Sequence, residues 1–205
     1  RREGSRQVPR GGQDLRRAGR RHSQHQIQRV MDEYVVLVNE NDSQIGIMEK
    51  MAAHIVPRLH RAFSIFIFSS KGELLLQQRA LSKYHSPGLW TNTCCSHPRN
   101  GESLEQATAR RLKEEMGLTC DMHEVFTFIY KAPVGLGLIE HEFDHVWFGQ
   151  SDDTPVINTE EVAAYKYMSL DDIAIDMKAH PEQYTEWFKI SFDEIQNRVS
   201  FPDLG

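Results

Sequence analysis

The stretch Gly101-Glu-Ser-Leu-Glu-Gln-Ala-Thr-Ala-Arg-Arg-Leu-Lys-Glu-Glu-Met-Gly-Leu118 reads as one helix with a signal at each end. Ser103 and Gln106 form a capping box, which satisfies two orphan N–H groups reciprocally where a helix begins. Leu104, Thr108, Leu112 and Met116 follow at four-residue spacing and make one buried face. Gly117 supplies the stop, because glycine tolerates the left-handed cap conformation. The predicted helix ends rich in acid, with Glu114 and Glu115. Arg111 and Glu115 are four apart and share a face, where an ordinary surface ion pair is the plain reading.

Outward from this helix the chain alternates apolar runs with turn signals. Upstream, Tyr34–Val38 and Ala62–Ser69 read as strands, the second fully buried. Lys71-Gly72 turns and Glu73–Arg79 returns, so a hairpin is expected. Residues 80–101 hold Pro87, Gly88, Pro98 and Gly101, which predicts a long functional loop. Downstream, Val125–Tyr130, Glu142–Gly149 and Ala163–Met168 read as strands, the first two joined across Gly135 and Gly137. Residues 169–179 and 181–197 read as helices. Irregular interleaving with hairpins favours a mixed sheet flanked by helices in a single domain, an α/β (α+β) class, over a doubly wound parallel sheet.

Composition narrows the function classes. The 205-residue chain carries a net charge of −5. Residues 1–30 hold nine Arg against Glu3 and Asp14, which is +7 and leaves −12 for residues 31–205. An acidic body suits no tracker of nucleic-acid backbones. The first thirty residues lack core-forming side chains and are expected to be a disordered basic leader foreign to the body, with Met31 as the natural start. Three cysteines, two of them adjacent, suggest no disulfide framework and a reducing compartment, hence the cytoplasm. No apolar run is long enough for a membrane span.

Several polar groups recur near one another. His54 and His60 precede the buried strand, and His97 lies in the loop. Glu140 and Glu142 are two apart, so on an extended segment both point to one face. Singly, each His reads as an ordinary surface residue. Together, three imidazoles and two carboxylates make a mixed nitrogen and oxygen set suited to Zn²⁺, Mn²⁺ or Mg²⁺. In an extended loop, Cys95 shares a side with His97 while Cys94 faces away, towards the core.

Glu102, Arg110, Leu112, Glu114, Glu115, Gly117 and Leu118 fall at the spacings of the Nudix box, which the helix resembles. Ser96 stands where the first Gly of that box is expected, and Arg111 replaces the Glu after the Arg. Adding Thr91-Asn-Thr-Cys-Cys-Ser-His-Pro98, Glu140-His-Glu142, His54 and His60, the chain resembles the type I isopentenyl diphosphate isomerases. The resemblance runs from about Tyr34 to about Trp187 and includes Arg79-Ala-Leu-Ser-Lys83, Trp90-Thr-Asn92 and Trp187-Phe188.

That resemblance implies a Nudix-like fold and a small-molecule prenyl diphosphate substrate. It implies a monomer or weak homodimer that engages neither nucleic acid nor membrane. His54, His60, His97, Glu140 and Glu142 would bind a divalent ion. Glu115, helped by the Cys95 carbonyl, would bind a Mg²⁺ that arrives with the diphosphate. Lys50, Arg79, Lys83 and Arg111 would grip the diphosphate. Cys95, Glu142 and Tyr130 would transfer protons, and Trp187 would wall the hydrocarbon.

Chemistry is consistent with this. Moving an isolated double bond through a tertiary carbocation needs an acid on one face and a base on the other. It also needs water excluded, or the cation is captured as an alcohol. A thiol such as Cys95 can act as the base when a cation or metal lies near, and Trp187 can face the carbocation with its π-cloud. A hydrolase of nucleoside diphosphate derivatives is the alternative, against which Arg111, Cys95 and Trp187 argue. A non-catalytic Nudix-fold binding module is the third reading, disfavoured by the complete candidate metal set.

Overall fold

A computed structural model describes residues 34–199. The expected leader at residues 1–30 and the start at Met31 lie outside the described residues. The described chain runs β1 (Tyr34–Val38), β2 (Gln44–Glu49), α1 (Lys50–Ile55), β3 (His60–Phe68), β4 (Leu74–Arg79), β5 (Trp90–Thr91) and β6 (Cys94–Ser96). It continues as α2 (Leu104–Met116), β7 (Met122–Gly135), β8 (Leu138–Gln150), β9 (Val162–Met168), α3 (Leu170–Ala179), a 3₁₀ turn (Pro181–Gln183) and α4 (Glu186–Arg198). The strands form one mixed sheet, so the expected class holds.

β3 is the axis of that sheet. Along one edge it pairs in parallel with β8, from His60↔Glu142 to Phe68↔Gln150. Its remaining partners are short and lie at successive levels: β1 at His60, β6 at Phe63 to Ile65, and β4 at Phe68 alone. The expected hairpin of β3 and β4 forms, antiparallel at Phe68↔Leu74, but the two strands pair only next to their turn and then splay. Two consecutive polar residues fill the wedge. The Thr93 hydroxyl accepts from Ile67 N (2.9 Å) and donates to Leu75 O (2.6 Å), and Asn92 donates to Ile65 O (3.1 Å) and Cys94 O (2.7 Å). Strand-like pairing has been exchanged for side-chain bonds, which is why residues 90–96 read as loop yet fold as β5 and β6.

Alternation along β3 explains its unbroken apolar sequence. Phe63, Ile65 and Ile67 join Cys94, Leu112 and Met116 beneath α2. Phe66 and Phe68 join Val146, Phe148, Phe188 and Phe192 beneath α4. A strand covered on both faces has no position left for solvent. The same phase sends His60 and Ser64 to the α4 face, together with Glu142 on the paired strand.

Further differences have local causes. β2 and α1 were unread because Gln44–Glu49 lies at the sheet edge, half exposed, and α1 is a six-residue helix capped by the Glu49 carboxylate, which accepts from Met51 N and Ala52 N. β7 extends well beyond Tyr130 despite Pro133. Its sheet partner is β8 on one side, so a residue without an N–H is tolerated at that edge. The expected helix over 181–197 is broken, because Tyr184 is extended (φ −117, ψ 147) and Thr185 caps a fresh helix.

Candidate active site

β8 supplies the two carboxylates, and α1, the start of β3 and the residue after β6 supply the imidazoles of His54, His60 and His97. Glu140 and Glu142 are both buried, and both accept the Tyr130 hydroxyl, at 2.9 and 2.6 Å. One hydroxyl carries one proton, so it serves a single carboxylate at a time. Burial and the neighbouring Glu142 charge push Glu140 well above the usual carboxylate range. Burial acts on Glu142 in the same direction, but the His60 and His97 rings at 3.4 and 3.0 Å override it and hold Glu142 well below that range.

The histidines are oriented from behind. His54 Nδ1 lies 2.7 Å from Lys50 O, and His60 Nδ1 lies 2.8 Å from Arg58 O. A carbonyl can only accept, so each Nδ1 carries a proton and each ring turns its Nε2 inward, the atom that would offer a lone pair to a bound ion. His54 Nε2 is buried without a partner, and His60 Nε2 faces His97 Nε2 at 3.2 Å. One ligand atom from each of His54, His60, His97 and Glu142 lies within 4.8 Å of the others. Inward lone pairs, a carboxylate and backbone-fixed tautomers fit a divalent cation. Glu140 falls outside that quartet and groups instead with His54 and His85.

His97, Glu140, Glu142 and His85 line a cavity. Lys50, Arg79, Lys83 and Arg111 line it too, as do Cys95, Tyr130 and Trp187. Every substrate-binding residue expected from sequence is thus brought to one cavity. The cations are not free. Lys83 pairs with Glu161, and Arg111 pairs with Glu115, with Glu114 (2.9 Å) and with Glu161 (3.6 Å). Arg79 binds the carbonyls of His85 and Ser86 and stacks 5.2 Å from the Trp187 ring centre. Burial, then Arg111 and Arg79, lower Lys50 from its ordinary value. Glu115 is buried, bonded to Gln77 (3.0 Å) and Arg111, and does not join the His/Glu quartet.

Cys94 and Cys95 divide as the two-residue phase predicts. Cys94 is fully buried in the core under α2, while Cys95 lines the cavity beside His97. Burial acts against ionisation of Cys95 and pushes the thiol up to about 12. Arg79 opposes that, and Glu115, Glu140 and Glu142 reinforce it.

Sequence reasoning missed four contributors: His85, Tyr84, Asp144 and Glu161. His85 and Tyr84 follow Lys83 directly in the loop, and the strap from Arg79 to the His85 and Ser86 carbonyls carries them into the cavity. Burial, then Arg79 and Lys50, push His85 down to about 2. Asp144 extends the Glu140 and Glu142 phase by one step and accepts from the Ser64 hydroxyl at 2.7 Å. That phase was the available signal; nothing in sequence singles out one His among ten.

The family model for the NUDIX domain matches residues 58–188. The chain is 55% identical to an isopentenyl-diphosphate Delta-isomerase of Pectobacterium atrosepticum, over 78% of this chain and 90% of the relative. It is 48% identical to isopentenyl-diphosphate Delta-isomerase 2 of Aromatoleum aromaticum, over 85% of this chain and 93% of that protein. Among solved structures, the MutT protein of Methanosarcina mazei superposes with a TM-score of 0.57 at 20% identity, covering 68% of this chain and 96% of its own. That last likeness speaks to fold alone. On sequence identity and coverage, the chain belongs to the Nudix-fold isopentenyl-diphosphate Delta-isomerase family.

Proposed function

We propose that this enzyme interconverts isopentenyl diphosphate and dimethylallyl diphosphate by adding a proton at one end of an allylic unit and removing one at the other. The observation that carries the reading is the strand order β6-β3-β8-β7 beneath the cavity. Cys95 stands on β6 and Tyr130 on β7, with β3 and β8 as the floor between them. Three inter-strand steps of about 4.8 Å put the two backbones roughly 14 Å apart, so the two side chains approach a bound C5 chain from opposing walls.

The roles follow from the surroundings. Tyr130, held as a neutral phenol by burial and by the Glu140 and Glu142 charges, gives a proton at one wall with Glu142 behind it. Cys95 takes a proton at the other wall. It does so as the thiolate, which burial disfavours and the neighbouring Arg79 favours, and it becomes the thiol as the carbocation gives up its proton and closes the new double bond. Trp187 turns an aromatic face to that cation, and its indole N–H is fixed on Asn92 at 3.2 Å. Lys50, Arg79, Lys83 and Arg111 take the diphosphate, displacing Glu161 from Lys83 and Arg111.

His54, His60, His97 and Glu142 would hold a divalent ion, Mn²⁺, Zn²⁺ or Mg²⁺, with Glu140 adjoining. Glu115 would serve a Mg²⁺ carried by the diphosphate, once Arg111 turns from it to phosphate. A bound ion supplies positive charge that orders the carboxylates and offsets the diphosphate. The free cysteines accord with a reducing cytoplasm, and a monomer or weak homodimer suffices because all these groups come from one chain. No helix among the described residues is long and apolar enough to cross a membrane.

Incubation with Mg²⁺ and either isopentenyl diphosphate or a nucleoside diphosphate panel separates the readings. An allylic diphosphate supports the isomerase. Phosphate release from the panel supports the hydrolase, and neither outcome supports a binding module.

A further inference from the structure

We infer that Asn92 is a positioning residue for the double-bond shift, its one side-chain amide holding Trp187 and the Cys95 backbone in a fixed relation across the hydrocarbon. Asn92 is fully buried, whereas Trp187 and Cys95 both line the cavity, so it acts through them. A primary amide offers two N–H donors and an oxygen with two lone pairs, and all four are used. The amide nitrogen donates to Ile65 O (3.1 Å) and Cys94 O (2.7 Å). Its Oδ1 accepts from the Trp187 indole N–H (3.2 Å) and from the Thr91 hydroxyl (2.8 Å). The indole can only donate and the carbonyls can only accept, so the amide has a single orientation. Cys94 O belongs to the peptide group that ends at Cys95 N, so the shorter N–H bond clamps the residue that carries the base.

A second line of bonds backs the amide. Thr91 gives its one hydroxyl proton to Asn92, and in turn accepts from the Thr185 hydroxyl at 2.9 Å. Thr185 is the N-cap of α4, where a threonine ordinarily turns its hydroxyl to the helix's own N–H groups. It makes no such bond here. Its hydroxyl goes to Thr91 and its N–H to Trp90 O at 3.0 Å. Trp187 is the second residue of that helix, so the start of α4 and the indole are tied to β5 and β6 through one polar knot. Thr91, Asn92, Thr185 and Trp187 are all buried, and a buried network with every bond made is rigid. The diphosphate is gripped elsewhere, by Lys50, Lys83 and Arg111. A fault in the knot should therefore reach the proton-transfer step and leave diphosphate affinity in place.

This inference rests on the isomerase reading. Kinetics with isopentenyl diphosphate and Mg²⁺, joined to proton NMR of the indole N–H groups, test the two separately. The Trp187 signal is the one missing from Trp187→Phe. Asn92→Ala should lower kcat by about ten- to a hundredfold, the scale of a small misplacement of reacting groups. Its KM should stay within about threefold of the parent's, and its Trp187 signal should move upfield. Asn92→Asp keeps an acceptor for Trp187 but turns a second oxygen on Ile65 O and Cys94 O. It should lower kcat comparably while the Trp187 signal stays downfield, and it carries the test should Asn92→Ala not fold. Ser103→Ala, which destabilises the chain from α2, should change neither kcat nor that signal. Asn92 variants that lose no more kcat than Ser103→Ala, at matched folded fraction, would overturn the inference, as would a rise in KM with kcat intact. No allylic product from the parent chain would remove the isomerase reading, and the positioning role with it.

Discussion

Cys94 and Cys95 differ in one step of backbone phase, and that step separates core from cavity. Cys95→Ala should abolish turnover, while Cys94→Ala should keep most of it at a cost of about 1 kcal/mol of stability, as expected for a small core truncation. Steady-state kinetics matched for folded fraction decide this; equal kcat losses would contradict the assignment. Arg111 is a second residue-level case. If it moves from its carboxylates to phosphate on binding, its contribution is shared by substrate and transition state. Arg111→Ala should then raise KM by roughly ten- to a hundredfold, the worth of a charge-assisted contact of about 1.5–3 kcal/mol, and lower kcat less. An unchanged KM would leave Arg111 as a partner of Glu114 and Glu115 only. These positions were legible in sequence because period-2 phase and motif spacing carry them. His85 was not, because its role depends on the Arg79 strap to its carbonyl, a contact that no spacing encodes.

Among elements, α2 was the most legible because its ends obey local rules. Ser103 accepts from Gln106 N at 3.3 Å, and Ser103 N donates to the Gln106 side chain at 3.1 Å. Ser103→Ala should cost about 1 kcal/mol. Gly117 is more demanding. It has φ +68, and an added Cβ would lie 2.7 Å from Val156 O. Gly117→Ala should therefore destabilise by more than about 1 kcal/mol, from backbone strain and collision together. Denaturant unfolding checks both, and a smaller loss at Gly117 than at Ser103 would contradict this view of the cap. The elements that sequence missed are those fixed by tertiary partners. β5 and β6 exist because β3 and β4 splay, and the break at Tyr184 exists because Trp90 O takes the Thr185 N–H at 3.0 Å.

At the scale of the whole molecule, the buried imidazoles set the acid limit. Burial pushes His97 down to about 3, as well as His85 to about 2, against about 6.5 for an unfolded histidine. Below about pH 6.5 the unfolded chain takes up protons that the folded chain refuses. Stability is therefore full above that pH and falls as pH drops, by about 1.4 kcal/mol per pH unit for each such histidine. After chelator treatment, His85→Gln should show a shallower fall in Tm between pH 7 and pH 5 than the parent chain; parallel curves would contradict the burial argument.

A chain beginning at Met31 should keep both kcat and Tm, since every candidate site residue lies beyond that point. The central claim concerns proton traffic across the cavity, and proton NMR of the product formed in heavy water with Mg²⁺ tests it most directly. Isopentenyl diphosphate should yield dimethylallyl diphosphate carrying one deuterium in the newly formed methyl group during early turnover, with no phosphate released. Free phosphate, a tertiary alcohol, or an isomer without deuterium would contradict the account.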